Sequence, residues 1–179
     1  MKRLIQVAIA LLGCLLLVQA AVLPDKAKPK FPDSSILCNV KIGDQIAKVK
    51  KTYGTNYHLF KAEWPGDFSA IIYNDPKAQA QLKVVYGKSV VGITLKVGRI
   101  KGNYKAAKSF ASLGDYYGLT LGSDLKKFKS VYKQEPTSYR GGKEHMGMVY
   151  PSFPDNSWYV VYYYKNKKLV EVTSTLSYG

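Results

Sequence analysis

Two blocks of the sequence recur 79 residues apart, and this repetition constrains the fold more than any other feature. Residues 42–53 align with 121–132, and residues 82–93 align with 161–172. Two separate blocks rarely share one offset by chance, so the chain is predicted to contain one structural unit written twice.

Each block has its own pattern of apolar residues. In the first block, apolar side chains at i, i+3 and i+7 predict short amphipathic helices over 46–53 and 125–132. In the second block, β-branched and aromatic residues on both sides of Gly87 and Asn166 predict two β-hairpins.

We therefore predict an α+β fold in which two tandem helix-plus-antiparallel-hairpin repeats share an extended sheet. Each repeat alone would be marginally stable, which favours a shared sheet. A further helix is predicted at 106–113. The predicted organisation is a signal peptide at 1–20, a Pro/Lys-rich tether at 21–36, a first repeat at 37–98, a connector at 99–116 and a second repeat at 117–179.

The N-terminal segment has the three-part pattern of a secretory signal peptide. Two cations precede an apolar run over 4–18, and a cleavage site is predicted after Ala20. We therefore expect a periplasmic or secreted bacterial protein. The alternative is a lipobox ending in Cys14, which would make that residue a lipidated N-terminus. With cleavage after Ala20, Cys38 is the only remaining thiol, so no intramolecular disulfide is expected.

The Gly-x-x-x-x-hydrophobic helix opening, the Tyr53-Gly54 that ends the first helix and the hairpin that follows resemble the SmpA/OmlA outer-membrane assembly lipoproteins. The tandem arrangement is similar to that of the β-lactamase inhibitory proteins, whose concave sheet clamps a partner enzyme. This resemblance implies a sheet that binds another protein. Two departures stand against it: the inhibitory proteins carry disulfides inside each repeat, and the assembly lipoproteins are single-copy with a lipidated cysteine.

The aromatic run at 158–164 is the strongest candidate for a binding surface. Successive side chains of a strand point to opposite faces, so this run would present aromatic rings on both faces. Tyr and Trp are favoured at interface hot spots, although the same rings can instead cover the sheet as core. The predicted partner-binding residues are Tyr73, Tyr86, Tyr150, Trp158, Tyr162 and Tyr164, with Lys83 and Lys165 at the rim.

The charge is strongly positive, with 27 Lys and Arg against 12 Asp and Glu, a formal net charge of +15. Lysine supplies 24 of these cations. Specific nucleic-acid readout uses arginine forks, so a nucleic-acid partner is disfavoured. The leading prediction is an exported, non-enzymatic protein-binding module, acting as an inhibitor, immunity-type factor or envelope-assembly accessory. The alternative is an electrostatic binder of an anionic cell-surface polymer or membrane.

The sequence carries no recognisable catalytic or cofactor motif. His58 and His145 are the only imidazoles and the chain has only two cysteines, so a Cys/His metal site is improbable. Neither a Gly-x-Ser-x-Gly elbow nor Walker spacing occurs. We therefore expect no enzymatic activity, no catalytic residues, no cofactor and no metal.

Overall fold

The computed structural model describes residues 36–61, 67–115, 118–132, 135–141, 145–151 and 158–176. The predicted signal peptide and nearly all of the predicted tether lie outside these residues. Within them, neither helix is long enough to cross a membrane. The elements are α1 (Ile46–Tyr53) and α2 (Leu125–Val131), and β1 (Ile36–Leu37), β2 (Val40–Lys41), β3 (His58–Lys61), β4 (Ser69–Asn74), β5 (Ala80–Tyr86), β6 (Val90–Val97), β7 (Ser138–Gly141), β8 (His145–Pro151), β9 (Trp158–Lys165) and β10 (Lys168–Leu176).

Eight strands form one antiparallel sheet in the order β3-β4-β5-β6-β10-β9-β8-β7, and β1 pairs with β2 in a separate small hairpin. The predicted α+β fold of two helix-plus-hairpin repeats is therefore wrong, because a single large sheet dominates and the described residues contain only two short helices. The short strands β3 and β7 at the two edges of this sheet are not among the predicted elements. β4 and β8 extend the two hairpins, and each of them also pairs with a four-residue strand, β3 or β7, at the edge of the sheet.

The main core lies between the sheet and the two helices. Val49 of α1 and Phe128 of α2 belong to one buried apolar cluster with Leu82 and Val84 of β5. Lys83, between these two residues, is only half-buried because alternate side chains of a strand point to opposite faces. We call the side that carries Leu82 and Val84 the helix face and the side that carries Lys83 the helix-free face.

Backbone hydrogen bonds attach the start of each helix to a hairpin. The Gly43 N–H donates to the Val90 carbonyl, and the Val90 N–H donates to the Asp44 carbonyl, both at 2.8 Å. A matching pair of bonds, at 2.8 and 2.9 Å, joins the residues before α2 to Leu169. These bonds fix where each helix lies on the helix face.

The helix predicted at 106–113 is not formed, and these residues adopt bends and turns. The buried Asp75 carboxylate determines their shape. It accepts hydrogen bonds from the backbone of Phe110 at 2.6 Å and Ala111 at 2.8 Å, and from the Ser109 hydroxyl at 2.9 Å. Because a side chain satisfies these amides, the segment needs no helical hydrogen bonds.

Candidate functional site

Four of the predicted partner-binding tyrosines are core residues. Tyr73, Tyr150, Tyr162 and Tyr164 are all at most 2% exposed and belong to the main buried cluster. Their rings lie on the helix face, where α1 and α2 cover them. This placement corrects the prediction that these four side chains form an exposed aromatic surface.

The other four predicted residues do not form one surface either. Tyr86 and Trp158 are partly buried against the main core. Lys83 lies on the helix-free face with its Nζ 5.2 Å from the centre of the Phe60 ring. Lys165 is exposed at the last residue of β9. The predicted set is therefore divided between the two faces and one end of the sheet.

The two histidines are also far apart in the fold. His58 lies on β3 and His145 on β8, and five strands separate them in the sheet. The His58 ring is 5.0 Å from the Tyr104 ring. The carboxylates nearest to each histidine in the sequence, Glu63 and Glu144, lie outside the described residues. Among the residues that are described, no three His, Cys, Asp or Glu side chains cluster closely enough to hold a metal ion.

Phe128 of α2 is the centre of an aromatic cluster in the second half of the chain. Its ring centroid is 4.9 Å from those of Tyr132 and Tyr162, 5.7 Å from that of Tyr150 and 6.0 Å from that of Tyr164. Several of these contacts have the tilted or edge-on geometry that favours aromatic pairs. The cluster therefore holds α2 on the helix face of β8 and β9.

A buried carboxylate anchors this cluster. Asp115, 6% exposed, accepts hydrogen bonds from the hydroxyls of Tyr132 at 2.8 Å and Tyr162 at 2.9 Å. The Leu119 backbone N–H donates to its other oxygen at 2.8 Å. Burial, the largest effect, and the nearby Asp115 carboxylate raise the pKa of the Tyr162 hydroxyl, so this group stays protonated and donates to Asp115.

A cleft of about 380 Å³ opens beside this cluster, between α2 and strands β7 and β8. Its floor is buried and its rim, which includes Lys129, Glu135 and Tyr139, is exposed. Its volume falls in the range of sites that hold small ligands or single large side chains. The lining residues are Leu125, Phe128, Lys129, Tyr132, Glu135, Pro136, Tyr139, Met146, Met148 and Tyr150.

A comparison of the residues before the two edge strands, β3 in the first half of the chain and β7 in the second, explains why the cleft opens beside β7. Tyr57, the residue just before β3, packs its ring 5.7 Å from Tyr73, and Lys50 of α1 lies 5.0 Å above the Tyr57 ring. A hydrogen bond to the Tyr57 side chain is the main cause of the raised pKa of Lys50. The residue just before β7 is Thr137, which has no ring to place on Tyr150. Among the described residues, none therefore fills in the second half the space that Tyr57 occupies in the first.

The cleft residues were missed in the sequence because they lie on separate elements. Met146 and Met148 alternate on β8, and this spacing is the one signal that places both methionines on one face of a strand. Tyr150, which follows at the same spacing, is one of the predicted partner-binding residues and forms part of the cleft floor.

The chain matches no family model and no curated protein sequence. It is similar to a DUF4309 family protein (YjgB) from Bacillus subtilis, with 10% identity, a TM-score of 0.42, and coverage of 74% of this chain and 78% of that one. It is also similar to an extracellular protein containing an SCP domain from Bacillus anthracis, with 10% identity, a TM-score of 0.51, and coverage of 86% of this chain. The chain spans 50% of that second protein. At 10% identity, the similarity to the Bacillus anthracis protein shows a shared fold and nothing about function.

Proposed function

We propose that this chain is an exported, non-enzymatic binding protein whose site is the cleft between α2 and strands β7 and β8. The observation that supports this proposal best is an open cleft with a buried aromatic and methionine floor and a polar rim. Such a site takes an apolar or aromatic side chain from a partner protein, as hot-spot pockets at interfaces do.

The composition of the cleft favours an inserted side chain over a reacting substrate. Met146 and Met148 are flexible and polarisable, so they adapt to the shape of an inserted group. Phe128 and Tyr150, each 1% exposed, form the buried back of the cleft, and the exposed Tyr139 ring at the rim offers an aromatic face to an incoming ring. Burying one large apolar side chain there would contribute roughly 1.5–3 kcal/mol to binding.

Export is proposed from the pattern of the N-terminal segment, whose cations, apolar run and small residues are typical of a secretory leader. The similarity in fold to an extracellular protein of Bacillus anthracis is consistent with this location. The net charge of +15, to which the predicted leader contributes only Lys2 and Arg3, favours an acidic partner because opposite charges attract at long range.

Methionine methyl groups give a direct readout of the cleft. The chain has three methionines, and two of them, Met146 and Met148, line the cleft. Indole, added to the full chain with 13C-labelled methionine methyl groups, imitates a tryptophan side chain. We expect saturable shifts of both cleft signals, each assigned from a Met→Leu variant. Indole titration without a saturable shift of either signal would contradict the proposal.

A variant that copies Tyr57 at the equivalent position before β7 tests whether the indole binds in the cleft. Thr137→Tyr places a tyrosine just before β7, as Tyr57 stands just before β3, and should fill the cleft. Leu59→Tyr adds the same ring to β3 at the opposite edge, where residue 59 is 55% exposed. We expect the indole shifts to vanish in Thr137→Tyr and to persist in Leu59→Tyr. Equal shifts in both variants would place the indole elsewhere.

Binding to a partner protein is tested with the same three chains, immobilised and exposed to cell-envelope extract at low and high salt. The proposal expects a protein that the wild type and Leu59→Tyr retain at high salt and that Thr137→Tyr does not retain. Anionic polymer that leaves all three chains equally at high salt would instead support purely electrostatic binding.

A further inference from the structure

Strand β7 forms one edge of the eight-stranded sheet. Among the described strands it pairs with β8 alone. All four of its residues are exposed, and Tyr139 is 57% exposed, the highest value among the large hydrophobic side chains of the described residues. An edge strand offers a row of backbone N–H and C=O groups that can pair with another extended chain.

The opposite edge, β3, is less open. Its exposure alternates along the strand, with His58 and Phe60 half-buried. The His58 ring lies 5.0 Å from the Tyr104 ring, and Lys83 lies over the Phe60 ring. Side chains from other segments therefore cover part of β3, whereas β7 presents four exposed residues in a row.

The register of β7 connects this edge to the cleft. Tyr139 is paired with Met148 and Gly141 with Met146, so these positions lie on the helix face, where the cleft is. A chain added beside β7 would place the residues opposite Tyr139 and Gly141 on the same face. Gly141 has no side chain, which leaves room for the residue opposite it to reach towards Met146.

The charges around β7 favour an acidic partner. Arg140 points to the helix-free face, with its guanidinium 5.5 Å from the centre of the Tyr159 ring, and Lys129 lines the cleft on the helix face. On the helix face, Glu135 also lies at the rim and accepts a hydrogen bond from the Tyr139 hydroxyl at 3.2 Å, so Arg140 and Lys129 together outweigh this one carboxylate beside β7. A second copy of this chain would bring the same positive charge to the contact, so pairing of β7 with itself is disfavoured.

We propose that an extended, acidic segment of a partner protein adds to β7 as a further strand and places alternate apolar side chains in the cleft. This inference rests on the proposed function and specifies the partner and its mode of binding. The added strand would gain affinity from backbone hydrogen bonds and specificity from the cleft, which is the usual division in strand addition.

The test uses three synthetic peptides with blocked ends and the full chain. The first peptide alternates glutamate with valine and has tryptophan at its centre; the second replaces glutamate with lysine; the third is the first with methylated backbone amides. We expect the first peptide to bind, to shift the methyl signals of Met146 and Met148, and to slow hydrogen exchange of β7 amides. The other two should bind at least tenfold more weakly.

The outcomes distinguish strand addition to β7 from binding in the cleft alone. Equal binding of the methylated peptide would overturn strand addition and leave the cleft as the site. Failure of all three peptides, with indole still shifting the methionine signals, would also overturn strand addition alone. If indole also failed to shift the methionine signals, the proposed function itself would be refuted. Equal binding of the lysine peptide would refute the acidic partner.

A charge reversal at each edge gives the matched variants. Arg140→Glu on β7 should weaken binding of the glutamate peptide at least tenfold, whereas Lys61→Glu on β3 should change it less than twofold. Equal weakening would show a long-range charge effect and would overturn the assignment to β7. Sedimentation of the wild type should show a monomer; a dimer that Arg140→Glu dissociates would identify a second copy as the occupant and overturn the proposal.

Discussion

Replacing Tyr162 by Phe removes one hydroxyl beneath the cleft and should destabilise the protein measurably. The Tyr162 hydroxyl is fully buried and donates to Asp115 at 2.9 Å. A hydrogen bond to a charged group contributes roughly 1.5–3 kcal/mol, and at a buried site no water replaces the lost donor. We expect Tyr162→Phe to lower the free energy of unfolding by about 2 kcal/mol, equivalent to a fall in Tm of about 4–8 °C for a chain of this size.

Tyr164→Phe is the matched control on the same strand and the same face. Tyr164 is 2% exposed, and its ring also packs against Phe128, at 6.0 Å. Its hydroxyl is buried and has no hydrogen-bond partner within the described part of the chain. Removing an unsatisfied hydroxyl removes its desolvation penalty, so Tyr164→Phe should be neutral or stabilising by up to about 1 kcal/mol.

Urea unfolding followed by circular dichroism measures both changes. Equal losses of stability in the two variants would refute the reasoning. They would show that any Tyr-to-Phe change in this core costs the same, whether or not a hydrogen bond to Asp115 is lost. Tyr132 donates to the same carboxylate oxygen, at 2.8 Å. The loss in a Tyr132→Phe, Tyr162→Phe double variant should therefore differ from the sum of the single losses by at least about 0.5 kcal/mol.

Three further predictions concern the buried groups around the connector. Burial raises the pKa of Asp75, but hydrogen bonds led by the Ala111 backbone N–H outweigh it and leave the pKa lowered. Its stabilising effect should therefore be present above about pH 4 and lost as the pH falls through the folded-state pKa. Acid unfolding should show a smaller pH dependence in Asp75→Asn, and an unchanged dependence would contradict this. Burial, and to a lesser degree the Asp75 carboxylate, raise the pKa of the Cys38 thiol. Iodoacetamide should therefore alkylate Cys38 only after unfolding, as measured by peptide mass spectrometry. Alkylation of the folded chain would contradict this prediction. Gly114 has a φ of +58°, and a Cβ there would lie 2.2 Å from the Leu119 carbonyl oxygen. Gly114→Ala should therefore lower the free energy of unfolding, measured with urea, by at least about 2 kcal/mol. A loss below about 0.5 kcal/mol would disprove the clash.

Elements whose signals are local could be predicted from the sequence. The i, i+3, i+7 spacing predicts helices at 46–53 and 125–132, where α1 and α2 lie. The hairpin predicted around Asn166 is the β9–β10 turn, in which Asn166 has a positive φ of 50°. Both signals depend only on neighbouring residues, because they reflect one helix face or one turn.

The candidate binding site could not be predicted, because the buried side of a strand depends on residues distant in sequence. In the run at 158–164, both alternating sets contain aromatic residues. α2 distinguishes them by packing Phe128 on Tyr162 and Tyr164, which buries the set that we expected to bind a partner. The cleft was missed for the same reason: its walls come from α2, β7 and β8, and no local pattern predicts that they meet.

The contrast between the two halves connects stability with binding. Tyr57 adds an aromatic contact to the first half, and no described residue, Thr137 included, fills the matching space in the second half. An open cleft loses packing contacts, but its floor remains fixed because Tyr132 lines the cleft and also donates to the buried Asp115. A floor that is already ordered loses little conformational entropy when a side chain enters, so more of the burial energy contributes to affinity. In the proposed function, the buried carboxylate would support binding without touching the partner, because it holds the aromatic floor in place.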